Sequence, residues 1–173
     1  MLTPSPFQLR PFTDRDLDLV REAASDPHIP LITTVPAAFT DEAGRAFIRR
    51  QHERARSGAG YSFAIAEESS GRAVGQIGLW LRDIDQGRAS VGYWVVKPAR
   101  GRRAATFALR AVSRWALTEL AIPRIELYVE PWNAASIRTA EEASFVREGM
   151  LRAWEEVGGE RRDMLMYSRL PTD

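Results

Sequence analysis

The sequence predicts a mixed α/β (α+β) fold, with a mostly antiparallel sheet of six to seven strands that includes one parallel pair, flanked by about four helices. Three observations carry this. Apolar residues alternate with period two in short runs bounded by Gly, Pro and Ser; the runs between 61 and 96 follow one another at hairpin spacing; and one strong helical pattern, 105–120, separates two of the strands. At 173 residues the chain has room for one domain with a real core, taken as 1–173, and too little for two of usual size.

The first strand is read over Phe7 to Phe12, where Phe7 and Leu9 alternate with Gln8 and Arg10 and Pro11 marks its end. Thr13 followed by Asp16 resembles a capping box, and Leu17, Val20 and Ala24 mark one helical face until Pro27 stops it. Residues Pro27 to Phe39 hold three prolines and no steady period, so they are expected to form a loop. Thr40 then caps a second helix with Ala43, Phe47, Ile48 and Gln51 on one side, and Ser57-Gly58-Ala59-Gly60 is its exit.

From Tyr61 the period changes to two. Tyr61–Ala66 and Ala73–Trp80 form a hairpin around Ser69-Ser70-Gly71, and Arg88–Val96 adds a third strand after the Asp83–Gly87 turn. Ala105, Ala108, Leu109, Val112, Ala116 and Leu120 define the long helix, which Pro123 ends. The strand Arg124–Glu130 follows this helical crossover and is therefore parallel to its predecessor. Asn133 caps a short helix through Ser144, and two last strands, about 145–157 and 161–170, close on Gly158-Gly159.

Composition excludes several classes of function. Lys+Arg number 24 against 23 Asp+Glu, a balance that points to no nucleic acid and no membrane surface as partner. Cysteine is absent, which removes disulfides, thiolate metal sites and cysteine-bound intermediates. His28 and His52 lie far apart with no ligand spacing, so no metal is expected. No run approaches the roughly 20 apolar residues of a spanning helix, and Met1-Leu2-Thr3-Pro4-Ser5-Pro6 lacks the basic flank and apolar core of a signal peptide; the expected compartment is the cytoplasm.

The most informative segment is Val95 to Thr106. A β-branched strand runs into Pro98-Ala99-Arg100-Gly101-Arg102-Arg103 and then straight into the long helix. A helix N-terminus presents unpaired N–H groups and partial positive charge, so this junction suits a phosphate or pyrophosphate. A dinucleotide-binding fold fails on topology, because its glycine turn follows the first strand of a repeated strand–helix series, and here the turn follows a meander.

Three segments in order make the chain resemble the GNAT acetyltransferase superfamily, and within it the Rim-type enzymes that acetylate protein N-termini such as those of ribosomal proteins. They are Leu9-Arg10-Pro11-Phe12-Thr13-Asp14-Arg15-Asp16, the Arg100–Ala105 turn, and Pro131-Trp132-Asn133-Ala134-Ala135-Ser136 with Ala140-Glu141-Glu142-Ala143-Ser144-Phe145. Arg100 and Ala105 match the family's phosphate turn, whereas Arg103 replaces a glycine; a helical φ there accommodates arginine, with its guanidinium along the phosphates. Ser144 likewise replaces a glycine before Phe145.

The resemblance implies acetyl-CoA as cosubstrate, lying where the two parallel strands splay apart after Val95. Backbone groups of Trp94, Val95 and Val96 would pair with the pantetheine arm, the amides of Arg100, Gly101, Arg102, Arg103, Ala104, Ala105 and Thr106 with the phosphates, and Asn133 and Ser136 would face the cosubstrate from the other side. It also implies Ser136 as proton donor to the departing thiolate and Glu155 as base, with Glu126 and Glu130 competing and a solvated hairpin charge the alternative for Glu155. Ile32, Thr33, Phe39, Trp80, Glu126, Tyr128, Trp132 and Trp154 are the expected acceptor-site residues. The expected activity is N-acetyl transfer to a protein N-terminal α-amine. A small-molecule amine is the nearest alternative, and a non-catalytic acyl-CoA-sensing domain the alternative of another class. Two exposed strand edges and the last hairpin leave a homodimer open.

Overall fold

The computed structural model describes residues 5–173; the part of the N-terminal reading that falls on residues 1–4 lies outside them. Seven strands form one sheet in the order β1-β2-β3-β4-β5-β7-β6: β1 (Phe7–Arg10), β2 (Gly60–Glu67), β3 (Ala73–Trp80), β4 (Arg88–Val95), β5 (Arg124–Val129), β6 (Val146–Val157) and β7 (Glu160–Arg169). All neighbours are antiparallel except β4 and β5. The helices are α1 (Leu17–Ala24), α2 (Ile29–Ile32), α3 (Asp41–Arg56), α4 (Ala104–Thr118) and α5 (Ala134–Glu142).

The local chemistry explains the element ends. The Asp16 carboxylate accepts from the Thr13 amide at 2.8 Å and pairs with Arg10 at 2.7 Å, which ties β1 to the turn before α1. The Thr40 hydroxyl accepts from the Ala43 amide at 3.1 Å, and Asn133 Oδ1 from the Ser136 amide at 3.0 Å, as their positions in the sequence predict. The fifth helix, α2, was not expected: its Pro30 is tolerated in a first turn, and the Asp26 carboxylate caps it by accepting from the amides of His28 (2.9 Å) and Ile29 (3.1 Å).

The core lies between the sheet and the helices. α4 buries the small residues Ala104, Ala108 and Ala116 around Leu109 and Val112, which lets it lie close against the strands. Truncating fully buried Leu109 to Ala should cost about 2–5 kcal/mol. A buried polar network runs through the same core: Trp94 Nε1–H donates to Gln76 Oε1 (2.7 Å), and Gln76 Nε2 donates to Gln51 Oε1 (2.8 Å) and to the Ser62 hydroxyl (2.7 Å). Each buried polar atom named here has a partner, so the network locks α3 to β2, β3 and β4.

One expectation on the sheet is corrected. β4 and β5 pair only through Arg88–Ser90 and Arg124–Glu126, so the strands part after Ser90, not after Val95. The split is therefore five residues deeper along β4 than expected.

Candidate active site

The splay opens a cleft of about 1130 Å³ along the free edge of β4, bounded by β5, the N-terminus of α4, α5 and the α2 segment. Which backbone groups face it follows from the antiparallel pairing of β3 and β4. Val96 N–H donates to the Val74 carbonyl at 3.0 Å, and Gln76 stands opposite Trp94, so Trp94 and Val96 spend their main-chain groups inside the sheet. By alternation, Tyr93 and Val95 present theirs to the cleft. The expectation that Trp94 and Val96 offer free main-chain groups is thereby overturned, and of the three only Val95 turns its main chain to the cleft; Trp94 still lines the cleft, and Val96 does not.

At the end of β4 the chain turns through Lys97–Ala99, and Gly101 then takes φ 78, where a side chain would be strained. Arg103 takes φ 65 and ψ 15 and leads into α4. This corrects the helical φ expected there: the position is left-handed, and arginine carries a cost on the order of 1 kcal/mol that glycine avoids. Ser144, at φ 64, bears a similar cost before Phe145.

No side chain caps α4, and its first turn holds no acidic residue. The amides of Ala104, Ala105 and Thr106 precede the first intrahelical bond, donated by Phe107 to the Arg103 carbonyl. This leaves a 15-residue helix with an open N-terminus beside the cleft, an arrangement that attracts phosphate.

The guanidiniums of the turn are all engaged. Arg100 donates through Nε to the Val95 carbonyl (2.9 Å) and pairs with Asp26 (2.6 Å). Burial pushes the Asp26 carboxyl up, but the amides of His28 and Ile29 and the Arg100 charge outweigh it and hold the group below its usual range. Arg103 pairs with Glu142 at 2.9 Å, not with open space above the helix. Arg102 turns to the opposite side, onto Glu67 (2.5 Å) and the Phe7 ring (5.7 Å), and lies outside the cleft lining. Arg100, Gly101, Arg103, Ala104, Ala105, Thr106, Asn133 and Ser136 all line it.

Seven of the eight expected acceptor-site residues also line the cleft: Ile32, Thr33, Trp80, Glu126, Tyr128, Trp132 and Trp154. Phe39 does not, because its ring packs under the Arg21 guanidinium (4.9 Å) and against Gly44 of α3. A bulge in β6 explains why the last hairpin reaches the site. Its register against β7 shifts between Leu151 and Glu155, and Ala153 takes φ 47. Trp154 thereby stacks on Tyr128, with ring centroids 5.8 Å apart, and Glu155 lines the cleft beside it.

The carboxylates of the cleft differ. Glu126 is 4% exposed, accepts from Arg124 Nε and from the Tyr128 hydroxyl, both at 2.8 Å, and so has both oxygens occupied. Burial, followed by that hydrogen bond and the Glu126 charge, pushes the Tyr128 phenol up to about 12. Arg124 is in turn held by Glu148 at 2.8 and 2.6 Å, and its guanidinium, with the Ser168 hydroxyl, holds the Glu148 carboxyl down at about 2. Glu155 is exposed and takes part in none of the ion pairs among the described residues; Arg162, opposite it on β7, pairs with Glu160 at 2.7 Å.

Two residues that sequence reasoning passed over also stand here. The His28 ring packs edge-on against Trp132 (5.1 Å), with Nε2 3.4 Å from buried Glu130. The Tyr93 hydroxyl lies 3.5 Å from the Ser136 carbonyl; burial raises its pKa, and hydrogen bonding to Ser136 and Thr139 lowers it by less, so it remains protonated. Tyr93 was findable as a cleft-facing neighbour of Val95, two residues away on the same strand. Nothing in the sequence around Pro27 marks His28 as a partner of Glu130.

The acetyltransferase (GNAT) domain family matches residues 7–146. An uncharacterized N-acetyltransferase of Bacillus licheniformis is 30% identical over 163 residues, covering 94% of this chain and 91% of its own length. A probable N-acetyltransferase of Bacillus subtilis (strain 168) is 33% identical over 137 residues, covering 78% of this chain and 75% of its own. Among solved structures, Mycobacterium smegmatis RimJ in complex with CoA-disulfide superposes with a TM-score of 0.83 at 26% identity, over 96% of this chain and 82% of that one. The open helix N-terminus at the end of a splayed parallel pair and these likenesses agree: the chain belongs to the GNAT family and is an acetyl-CoA-dependent acetyltransferase.

Proposed function

We propose that the protein transfers an acetyl group from acetyl-CoA to a protein N-terminal α-amine by direct attack. The observation that carries the reading is the depth of the splay, which leaves the Tyr93 main chain and the Val95 amide open between an uncapped helix N-terminus and an aromatic, carboxylate-bearing mouth, the Val95 carbonyl being taken by Arg100. The phosphates rest on the amides of Ala104, Ala105 and Thr106, and the pantetheine arm runs back along Val95 and Tyr93. The thioester then lies beyond Tyr93, in the part of the cleft lined by Tyr128, Ser136 and Glu155.

The amine nitrogen attacks the thioester carbonyl, the C–S bond breaks, and the nitrogen gives up a proton. Glu155, exposed in the mouth with a free carboxylate, takes that proton directly or through water; Glu126 is unsuited, since both its oxygens already accept hydrogen bonds. Ser136 supplies a proton to the CoA thiolate, and the protonated Tyr93 hydroxyl beside it is placed to share that task. The acceptor type follows from the modest base equipment. An α-amine has a pKa near 7.8 and lysine near 10.4, so presenting neutral lysine at pH 7 costs about 3.5 kcal/mol more.

The test is thiol release from acetyl-CoA with an Ala-initiated peptide. Glu155→Gln should lower kcat by about 100-fold while leaving acetyl-CoA binding intact, the usual scale for a general base. An unchanged kcat would remove Glu155 from this role.

A further inference from the structure

Arg54 and Arg82 line the acceptor end of the cleft, with Arg50 one helical turn before Arg54, and they are built unlike the arginines of the phosphate turn. Arg50, Arg54 and Arg82 take part in none of the ion pairs among the described residues. Arg50 donates to the Thr34 carbonyl at 2.8 Å outside the cleft lining, whereas Arg54 is fixed within it. Its guanidinium lies over the Trp80 ring, 4.1 Å from the centroid, donates to Gln51 Oε1 at 2.6 Å, and reaches the Thr34 hydroxyl at 3.4 Å. Gln51 is itself buried and fixed by donating to the Phe47 carbonyl (2.7 Å) and by accepting from Ser62 (3.0 Å) and Gln76 (2.8 Å). The guanidinium is thus held in place by neutral groups alone, and its charge is uncompensated. Burial, and then the neighbouring Arg50 charge, disfavour its protonated form, as expected for a cation lacking an anion.

Arg54, Trp80 and Arg82 line both the main cleft and an adjoining hollow of about 590 Å³ behind it. Trp80, Ser90 and Glu126 stand level across three neighbouring strands, which sets the Trp80 backbone about 10 Å from β5. That separation is the span of two to three extended residues.

We infer that Arg54, stacked on Trp80 and assisted by Arg82, binds a carboxylate carried by the acceptor two to three residue lengths from the amine that is acetylated. The inference rests on acetyl transfer taking place in this cleft. A planar guanidinium fixed by stacking matches a carboxylate in two parallel hydrogen bonds, and its position is prepaid by the Gln51 network. The carboxylate comes either from an acidic side chain at position two or three of a peptide or from a small amino acid acceptor.

The test compares C-terminally amidated peptides that begin with Ala and carry Asp or Asn at position two or three, alongside 6-aminohexanoate and its amide, whose extended chain spans about two residues. Both kcat/KM for acetylation and Kd by calorimetry are measured. The acid form should be favoured over its amide by about 10-fold in both quantities, the scale of one charge-assisted hydrogen bond. A preference among the peptides assigns the subsite to an acidic side chain; a preference confined to 6-aminohexanoate assigns it to a small acceptor. In Arg54→Gln the ratio should fall to about one, and Arg54→Lys should restore part of it. Equal affinity for acid and amide in the unchanged protein, or a preference that survives Arg54→Gln, overturns the inference. If the Kd preference holds and no acceptor is acetylated, the subsite stands and the transfer reading fails.

Discussion

The two ends of the cleft handle positive charge in opposite ways. At the end proposed for the phosphates, Arg100 and Arg103 rest on Asp26 and Glu142, and Arg102 of the same turn faces away onto Glu67. At the acceptor end, Arg54 is held by an amide oxygen, a hydroxyl and an indole ring. A basic turn in a sequence therefore does not locate the free charge. On the proposed reading, the anion affinity of the turn resides in the backbone amides of Ala104–Thr106, and the arginines hold the turn and α2 in place.

The strongest challenge to this contrast puts an anion on the amides without disturbing the fold. Ala105→Asp places a carboxylate at the second position of α4, where it favours the helix dipole, so thermal stability should hold or rise slightly. Acetyl-CoA affinity, read by calorimetry, should nevertheless fall by about 100-fold through repulsion of the phosphates. A smaller effect is expected from Arg100→Ala. Asp26 keeps its bonds from the His28 and Ile29 amides, so affinity should drop by only about 5-fold. A loss as large as that of Ala105→Asp would return the anion affinity to the guanidiniums.

The smallest expected effect concerns the chain of Glu148, Arg124, Glu126 and Tyr128 that braces the acceptor end. Because the Glu148 carboxyl sits at about 2 in the folded protein against an ordinary 4.5, its contribution is present above pH 4.5 and is lost as pH falls toward 2. Glu148→Gln should therefore lower Tm near pH 7, and the gap to the unchanged protein should close as the buffer is taken below pH 4.5. A gap independent of pH would mean that the carboxylate charge is not what holds Arg124.

Much of the fold was legible because its cues are local. Thr40 and Asn133 announce their helices, alternation marks the meander, and Gly158-Gly159 closes the last hairpin. The site was legible at the Val95–Thr106 junction for the same reason. What escaped depends on contacts between distant segments. The depth of the splay is set by how far β5 follows β4, which no period reports. The partners of Arg102 and Arg103 lie 35 and 39 residues away, and α2 forms because Asp26 caps a proline-containing turn that shows no helical pattern. Arg54 lay within a helix rich in arginine, and only the structure separates it from its neighbours, by its place on the Trp80 ring within the cleft lining.

The central claim is transfer to an α-amine, and one peptide tests it directly. A peptide with a free N-terminal alanine and an internal lysine is incubated with the protein and acetyl-CoA at pH 7, and the product is fragmented in a mass spectrometer. The account predicts acetyl on the N-terminal residue, with the lysine side chain unmodified. Acetyl on the lysine, or none on the peptide while small amines are acetylated, would contradict it.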